Sequence, residues 1–488
     1  MSRLNPIISS FLQAVLQDTN FLFSLLNQHQ SPLYLLFPNE FLSNVRAFKQ
    51  VYVEQKIEGE IFYAFKVNKT EAFLEICAYE KIGVEVSSIN ELQVVLGHGI
   101  SGKQILISGP VKSNHLLFLA MQHHCTIVVD ELSEIRRVVQ LRKILNIVHK
   151  VNIQVRISGF KLTTTGRSEP GPAVIENSLF GLPLSDIEDL YSLLNEVEIQ
   201  NSINLNGLMF HIDNHSISDR GEAIFCLIHH ILKLRKKGFD CKTIDIGGGF
   251  SVKYIDYEDW EKFIEEYVYS LKNNEPFMFR DKVFGLKIKN GKHLNRGNFY
   301  PYDLKIHKEQ VLNSILLYRP KESTLNISET LKKYNIKLNV EPGKSLVDQA
   351  GITICRITGK KKSSKGDPLL ICDMNISQLY EQFIGSEFLV DPVLIQKSKS
   401  KKSTQGWHIA GNLCSESDVL SWRKIYWDAT PDIDDLLVFA NTGGYQMDFA
   451  ESRMHSMRLP SRIIIYKKKK EILWKHDTIF SLFDFIDC

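Results

Sequence analysis

The chain has 488 residues, of which 44% are hydrophobic and 24% are charged, so it can bury a core larger than that of one small domain. Its 59 basic and 56 acidic residues leave a net charge of only +3, which gives no electrostatic argument for a nucleic-acid partner. No apolar run is long enough to cross a membrane and no signal peptide is recognisable, so we expect no membrane association. The eight cysteines form no CxxC pair, which predicts no metal site, no disulfide framework and a reducing, cytoplasmic location.

The first fifty residues combine a helical and a strand-like segment. An amphipathic stretch opens the chain, and the apolar run PLYLLF follows at residues 32–37. We expect residues 1–50 to form a helix and a strand that pack on a β-rich domain built from the other end of the chain.

From about residue 60, short β-rich runs alternate with amphipathic segments of helical length. The runs are IFYAFK (61–66), IGVEVS (82–87), QILIS (104–108), TIVVD (126–130), VNIQVRIS (151–158), GLMFHI (207–212), TIDI (243–246) and KLNVE (337–341). Alternating units predict an α/β fold with a parallel sheet, and eight of them predict a closed, TIM-like (β/α)8 barrel over residues 51–344. The connection at about 252–330 is too long for one helix, so we interpret it as an insertion near the barrel mouth.

The pattern changes after residue 345 and becomes mostly β. The β-rich runs here are GITICRITGK (351–360), PLLICDM (368–374), GWHIAG (406–411), DLLVFA (435–440) and RIIIYK (462–467). Residues 345–488 are therefore predicted to form a C-terminal β-rich domain.

Polar residues and glycines stand at or near the ends of six of the eight predicted barrel strands. They are Lys66 after the first strand, Glu85 in the second, Arg156 in the fifth, His211 in the sixth, Gly247, Gly248 and Gly249 after the seventh, and Glu341 after the eighth. Because barrel enzymes carry their chemistry at the carboxyl ends of the strands, we expect these groups to meet in one site.

Each of these groups has a chemical and a structural interpretation. Lys66 lies among apolar residues, so burial should depress its pKa and allow a Schiff base with an aldehyde; the alternative is an ordinary strand-end lysine. The glycine triplet could wrap a phosphate with its N–H groups, or form a tight turn. Glu341 could hold a protonated ring nitrogen, or serve as a helix cap or ion-pair partner. His211 could stack on a ring, or pack in the core.

In this order along a barrel, the motifs resemble the pyridoxal-phosphate (PLP) decarboxylases of fold type III, which have an alanine-racemase-type barrel and include diaminopimelate, ornithine and arginine decarboxylases. The resemblance covers about residues 30–460. YAFKVN (63–68) implies that Lys66 anchors PLP, and GVEVS (83–87) carries Glu85 where the family usually has Asp. Arg156 falls at the family's barrel arginine, and His211 at the histidine that stacks on the PLP ring. Asp213 and Asn214 then stand where the family has Gly-Ser.

The resemblance extends to the groups that would hold the rest of the cofactor. DIGGGF (245–250) resembles the phosphate loop, which implies contacts from Gly247, Gly248 and Gly249. EPGK (341–344) resembles the motif whose glutamate pairs with the pyridine nitrogen, so Glu341, Gly343 and Lys344 are carried over. Lys344 replaces the family's arginine and loses its bidentate fork. GGY (443–445) implies a phosphate contact from Tyr445.

A further motif implies a homodimer with shared active sites. GNLC (411–414) resembles the segment whose cysteine reaches into the partner's site, where Cys414 would donate a proton or pack. The family's next residue is acidic and grips the substrate's distal amine, but here it is Ser415. Either Glu416 substitutes for it, or the substrate lacks that free amine.

The resemblance implies a decarboxylase that removes the α-carboxylate of a diaminopimelate-like, basic or derivatised amino acid. NTGGYQMDF (441–449) resembles a subgroup tied to siderophore and other natural-product pathways, which favours a derivatised substrate. One alternative is a PLP-dependent racemase, although such enzymes set an arginine against the ring nitrogen. The other is a catalytically inactive, decarboxylase-like binding protein, against which the retained Lys66, Glu341 and Tyr445 argue.

Overall fold

The computed structural model describes residues 2–160, 178–212, 214–273, 275, 277–289, 292–295, 297–448, 454–468 and 471–479. The N-terminal segment contains α1 (Ser10–Gln17), α2 (Thr19–His29), β1 (Leu33–Leu36) and α3 (Pro38–Gln55). Helices α1 and α2 and strand β1 bury leucines against strands of the C-terminal sheet. Helix α3 instead packs on the barrel, and the boundary predicted between residues 50 and 51 falls within it.

Within the described residues, eight parallel strands form the barrel, which confirms the predicted fold. Its strands, together with the short β7 that pairs with β6, are β2 (Phe62–Ala64), β3 (Gly83–Val86), β4 (Ile105–Ile107), β5 (Thr126–Val129), β6 (Val151–Ser158), β7 (Leu182–Pro183), β8 (Ile203–Met209), β9 (Thr243–Asp245) and, later in the chain, β12 (Lys337–Asn339). The order is β2-β3-β4-β5-β6-β8-β9-β12. The sheet closes where Phe62 N–H donates to the Val340 carbonyl at 2.8 Å.

Amphipathic helices cover the outside of the barrel. They are α4 (Glu71–Glu80), α5 (Ile89–Gly97), α6 (Asn114–Gln122), α7 (Leu132–Ile144), α8 (Ile187–Leu194), α9 (Val197–Ser202) and α10 (Ile217–Lys236). Serine side chains accept hydrogen bonds at several of the N-termini, for example from Leu116 N–H to Ser113 and from Asp219 N–H to Ser216. These caps fix where each helix starts after its loop.

The inside of the barrel is polar close to the strand ends. Arg156, Met209, Asp245 and Asn339 are register partners across adjoining strands, so their side chains share one face of the sheet. Met209 packs in a small cluster with residues of β2, β4 and β5, separate from the main core, which identifies that face as the barrel interior. The apolar filling of a barrel thus gives way to charged groups just below the mouth.

The predicted insertion contains β10 (Ile288–Lys289), β11 (Lys292–His293) and helices α11 (Tyr257–Asn273), α12 (Glu309–Leu317) and α13 (Ile327–Tyr334). Helix α11 packs Trp260, Phe263 and Tyr267 into a cluster with residues of the C-terminal domain. Helices α12 and α13 pack on the barrel instead. The insertion therefore bridges the two units.

The C-terminal unit is a mixed sheet, as predicted. Its elements are β13 (Gly351–Lys362), β14 (Pro368–Cys372), α14 (Tyr380–Phe383), β15 (Val393–Ile395), β16 (Gly406–Ala410), β17 (Val419–Tyr426), β18 (Leu436–Phe439), β19 (Ser461–Lys468) and β20 (Glu471–His476). The order is β17-β16-β14-β13-β1-β19-β20, and β18 pairs with both β13 and β15. Strands β15, β17 and β20 had not been predicted. In the part of the chain that the structure describes, no helix is both long and apolar enough to span a membrane.

Candidate active site

A cavity of about 270 Å³ lies at the carboxyl ends of the barrel strands and collects most of the predicted cofactor residues. Its lining consists of Ala64, Lys66, His211, Gly248, Gly249, Phe250, Tyr300, Glu341, Gly343, Lys344 and Tyr445. Glu85, Arg156 and Gly247 were also predicted for the site, but they lie behind this lining.

Lys66 lies in a 3₁₀ turn, Phe65–Val67, that directly follows β2. Half of its side chain is exposed toward the cavity, and its Nζ lies 3.7 Å from Oε2 of the buried Glu85. The negative charge of Glu85 raises the pKa of Lys66 above its usual value and outweighs the opposing effect of burial. The predicted depression of this pKa is therefore wrong, because a carboxylate on the neighbouring strand stabilises the ammonium form.

Glu85 is fixed from its other side by two serines. Its Oε1 accepts hydrogen bonds from Ser108 and, at 3.2 Å, from Ser87. Its Oε2 has no hydrogen-bond donor among the described residues. The carboxylate is thus oriented with one free oxygen toward Lys66.

His211 follows β8 and lies against the glycine loop. Its Nδ1 accepts a hydrogen bond from the Gly248 N–H at 3.2 Å, so the proton of the neutral ring is on Nε2. Burial, together with the positive charges of Lys66, Arg156 and Arg220, lowers the pKa of His211 well below its usual value. The ring is therefore held neutral in this site.

Glu341 is a buried carboxyl group in the cavity wall, with 5% of the residue exposed. Its Oε1 has no hydrogen-bond partner among the described residues. Burial and the negative charges of Asp245 and Glu85 raise the pKa of Glu341 well above its usual value, although Lys66 and Arg156 oppose the shift. Burial therefore disfavours the ionised form of this carboxyl group in the cavity wall.

Arg156 ends in the barrel interior beneath these groups. Burial lowers the pKa of its guanidinium, against the opposing charges of Asp130, Glu341 and Glu85. The guanidinium lies 4.8 Å from the ring centroid of Phe180. Arg156 thus supplies positive charge from behind the cavity wall.

The glycine loop after β9 uses part of its hydrogen-bonding capacity internally. Gly247 N–H donates to Oδ1 of Asp245 at 2.8 Å, and Gly248 N–H donates to His211. Of the triplet, only the Gly249 N–H has no acceptor among the described residues, so the phosphate contacts expected of Gly247, Gly248 and Gly249 stay a prediction. A Cβ on Gly248 would lie 2.6 Å from the Glu341 carbonyl oxygen, which explains the need for glycine there.

Lys344 closes the cavity beside the insertion. Its Nζ lies 3.4 Å from the ring centroid of Tyr300 and 3.4 Å from Oε1 of Glu381. Glu381 also accepts a hydrogen bond from the hydroxyl of the buried Tyr302. A tyrosine of the insertion and a carboxylate of the C-terminal domain thus hold a barrel lysine in place.

Tyr445 reaches the cavity from the turn after β18. Its backbone N–H donates to the Val67 carbonyl at 2.8 Å, next to Lys66. A Cβ on Gly343 would lie 2.4 Å from Cγ2 of Val67. Glycine at position 343 therefore allows the segment 341–344 to pack closely on the turn that carries Lys66.

The predicted residues Cys414, Ser415 and Glu416 lie elsewhere, in a second cavity of about 270 Å³ on the C-terminal domain. Cys414 is exposed, and its N–H donates to Nε2 of His455 at 3.3 Å. The Glu416 carboxylate pairs with Arg280 of the insertion, which also donates to the Glu416 carbonyl at 2.6 Å. One chain does not bring these residues to the Lys66 cavity.

Sequence reasoning missed three residues that shape the site. Arg220 of α10 is buried and donates to the carbonyls of Ile212 at 2.7 Å and Gly249 at 2.8 Å, which joins the loops after β8 and β9. Arg220 precedes the buried Ala223 and Ile224 by three and four residues, so the helical periodicity places it on the buried face of α10. Tyr300 and Glu381 come from segments whose partners are distant in sequence, and no local pattern indicates their roles. No cluster of potential metal ligands occurs within the described residues.

Comparison with known proteins agrees with this geometry. Residues 39–291 match the family model described as pyridoxal-dependent decarboxylase, pyridoxal binding domain. The chain is 27% identical over 450 residues to an uncharacterized protein of Sinorhizobium fredii, covering 91% of this chain and 90% of that protein. It is 23% identical over 469 residues to a diaminopimelate decarboxylase of Bacillus methanolicus, covering 92% and 90%.

The fold has a solved counterpart in a diaminopimelate decarboxylase from M. jannaschii in complex with L-lysine. That structure superposes with a TM-score of 0.68 at 18% identity and covers 93% of this chain and 91% of its own. The predicted cofactor, PLP, and the predicted enzyme class, amino-acid decarboxylase, are confirmed by the family match. The chain belongs to the family of pyridoxal-dependent decarboxylases.

Proposed function

We propose that the protein uses PLP held by Lys66 to remove the α-carboxylate of an amino acid whose distal group is not a free amine. The observation that carries the reaction type is the buried carboxyl group of Glu341 in the cavity wall, whose Oε1 has no hydrogen-bond partner among the described residues. None of the described residues that line this cavity is an arginine, which favours decarboxylation over racemisation.

The residues present fit PLP. Lys66 Nζ is an amine at the cavity wall, Glu341 offers an acidic proton to a ring nitrogen, and Lys344 with the Gly249 N–H offers positive charge and a donor to a phosphate. When bound, PLP supplies a conjugated ring that withdraws the electron pair left on the α-carbon as carbon dioxide departs.

The chain's own groups would then do the following. Glu341 holds the proton on the ring nitrogen through a charged hydrogen bond in a site shielded from water. The neutral His211 provides a flat, uncharged face rather than a competing positive charge. Glu85 favours the ammonium form of Lys66 and would accept the proton that this group gives up when it becomes a neutral amine.

A site shared between two subunits would add the predicted substrate-contacting residues that the Lys66 cavity of one chain lacks. We propose that Cys414 and its neighbours face the Lys66 cavity of a second subunit, where Cys414 donates a proton to the α-carbon. In support, these residues line an open cavity on the C-terminal domain of their own chain. The cysteines in the described part of the chain are all free, which supports a reducing, cytoplasmic location.

The substrate preference follows from the Arg280–Glu416 pair. Ser415 carries no charge, and the nearby carboxylate of Glu416 is already bound to a guanidinium. A substrate ammonium would have to displace Arg280, whereas an acylated or otherwise derivatised side chain would not. This supports a derivatised amino acid over a free diamino acid.

The test is a measurement of carbon dioxide release by the PLP-loaded protein from matched pairs, such as lysine against Nε-acetyl-lysine and ornithine against Nδ-acetyl-ornithine. We expect the acylated member to have the higher kcat/KM. Arg280→Ala should shift the preference toward the free amine, because Glu416 is released.

Three outcomes would contradict the proposal. Inversion of the α-carbon without carbon dioxide would identify a racemase. Absence of any turnover with PLP bound, across a broad amino-acid panel, would identify an inactive binding protein. A preference for the free amines would overturn the substrate assignment alone.

A further inference from the structure

The turn that carries Lys66 and the turn that carries Tyr445 belong to different domains, yet they are bonded directly to each other. Tyr445 N–H donates to the Val67 carbonyl at 2.8 Å, and Asn68 Nδ2 donates to the Gly443 carbonyl at 2.8 Å. Asn68 is completely buried. The barrel and the C-terminal domain therefore meet at the turn of Lys66, which the proposed function assigns to the aldehyde end of the cofactor, and at the turn of Tyr445, which the sequence resemblance assigns to its phosphate end.

Arg462, on β19, crosses this junction. Its guanidinium donates to Oδ1 of Asn68 at 3.2 Å, to the Thr70 hydroxyl at 3.3 Å, and to Oδ1 of Asp448. Asp448, three residues after Tyr445, accepts from the Lys69 N–H through its other oxygen at 2.9 Å. One guanidinium and one carboxylate thus join both turns.

The network is shielded from water and continues into the barrel wall. Only 3% of the Asp448 side chain and 22% of the Arg462 side chain are exposed. Asp477 accepts from the N–H groups of Glu71 and Ala72, both at 3.1 Å, and so caps α4 from the C-terminal domain. Buried charge-assisted hydrogen bonds of this kind define geometry more sharply than surface pairs.

We propose that Arg462 and Asp448 are positioning residues that hold the Lys66 amine and the Tyr445 side chain at the fixed separation that PLP spans. Neither residue lines the cavity, so both act through the turns that they join. A ligand attached at both ends gains affinity from the fixed spacing of its two contacts, because forming the first contact raises the effective concentration of the second. This inference rests on the proposed attachment of PLP to Lys66.

The experiment compares three ligands on the apo-protein. PLP engages both ends, 4′-deoxypyridoxine 5′-phosphate lacks the aldehyde and engages only the phosphate end, and pyridoxal lacks the phosphate and engages only Lys66. In Arg462→Met we expect the dissociation constant of PLP to rise at least about tenfold and those of the other two less than about threefold. Arg462→Lys should recover part of the loss.

A second variant guards against misfolding of the first. Asp448→Asn keeps the side-chain size and removes the charge that Arg462 binds. It should also raise the dissociation constant of PLP. The double variant with Arg462→Met should raise this constant little further, because both substitutions remove the same contact. Arg136→Met is the matched control, since the Arg136–Glu196 pair is exposed and lies on the barrel's outer helices.

Two results would overturn the inference. One is an equal loss for all three ligands, which would indicate a merely structural role. The other is an unchanged PLP dissociation constant in Arg462→Met, with thermal unfolding showing an intact fold. Failure of the proposed function would look different, because wild-type protein would then bind pyridoxal without a covalent link to Lys66.

Discussion

The Lys66 cavity and the Cys414 cavity each have a volume of about 270 Å³, but they differ in whether their carboxyl groups have partners. In the first, Oε1 of Glu341 and Oε2 of Glu85 are buried and lack donors among the described residues. In the second, Glu416 is bound by Arg280, and Asp418 accepts N–H groups from Ile376 and Leu413 at 2.6 and 2.7 Å. Unsatisfied buried carboxyl groups are costly, so the first cavity is arranged for a ligand that completes it. In the second cavity these carboxylates are already paired within the chain.

The largest effect should come from the residue on which the first cavity depends. Lys66→Ala should abolish covalent cofactor binding and lower turnover by at least about three orders of magnitude. The absorbance of the lysine-bound cofactor and the rate of carbon dioxide release measure the two effects. An unchanged cofactor absorbance in this variant would mean that another amine holds PLP.

Glu341→Gln separates function from stability in the same cavity. Turnover should fall by at least about two orders of magnitude, a barrier increase of about 3 kcal/mol, while PLP stays bound through Lys66. Near-normal turnover with bound PLP would show that Glu341 is structural.

The apo-form of the same variant should gain stability at neutral pH. Because the folded-state pKa of Glu341 is raised above its usual 4.5, folding stability is lost as the pH rises from that value toward the raised one. Glutamine does not titrate, so thermal unfolding of the apo-variant should depend less on pH in this range than that of the wild type. An equal pH dependence in the two proteins would contradict the raised pKa.

The barrel could be predicted from sequence because its information is local. Each β-rich run supplies its own strand, and the rule that chemistry lies at strand ends needs no partner identities. Strand β17 was missed because its sequence, VLSWRKIY, includes Arg423, which looks exposed. In the structure Arg423 is buried against Asp391 and donates to the Leu389 carbonyl at 2.6 Å. Its partners lie more than thirty residues away, so no window around β17 reveals them.

The same limit explains the error at Lys66. Its flanking residues are apolar and buried, which correctly indicates desolvation, but the charge that decides the shift is on the next strand. By contrast, the bond between Gly247 N–H and Asp245 spans two residues and could have been predicted as a local turn. Local hydrogen bonds are readable from sequence, whereas charge pairs across strands require the register.

The second cavity is tested by mixing subunits. Lys66→Ala and Cys414→Ala chains should each be nearly inactive alone. If sites are shared, random exchange makes half of the dimers mixed, each with one intact site, so about a quarter of the wild-type activity should return. No recovery after confirmed exchange would show that Cys414 acts within its own chain, and a Cys414→Ala chain that is active alone would show that Cys414 has no role in turnover.

The smallest expected effect concerns how the first cavity captures its cofactor. Attachment of PLP requires the neutral amine of Lys66, but Glu85 raises the pKa of this group, so the capture rate by apo-protein should still rise with pH through the alkaline range. Glu85→Gln removes the charge and keeps an acceptor for Ser108. The pKa of Lys66 should then fall, and the pH–rate profile should move toward lower pH with faster capture near neutrality. Glu196→Gln, at an exposed ion pair on the barrel exterior, is the control and should leave the profile unchanged. A profile that does not move in Glu85→Gln would mean that burial, rather than the neighbouring carboxylate, sets the reactivity of Lys66. Glu341 would then be the one carboxyl group of the first cavity whose lack of a partner among the described residues distinguishes it functionally from the paired carboxylates of the second.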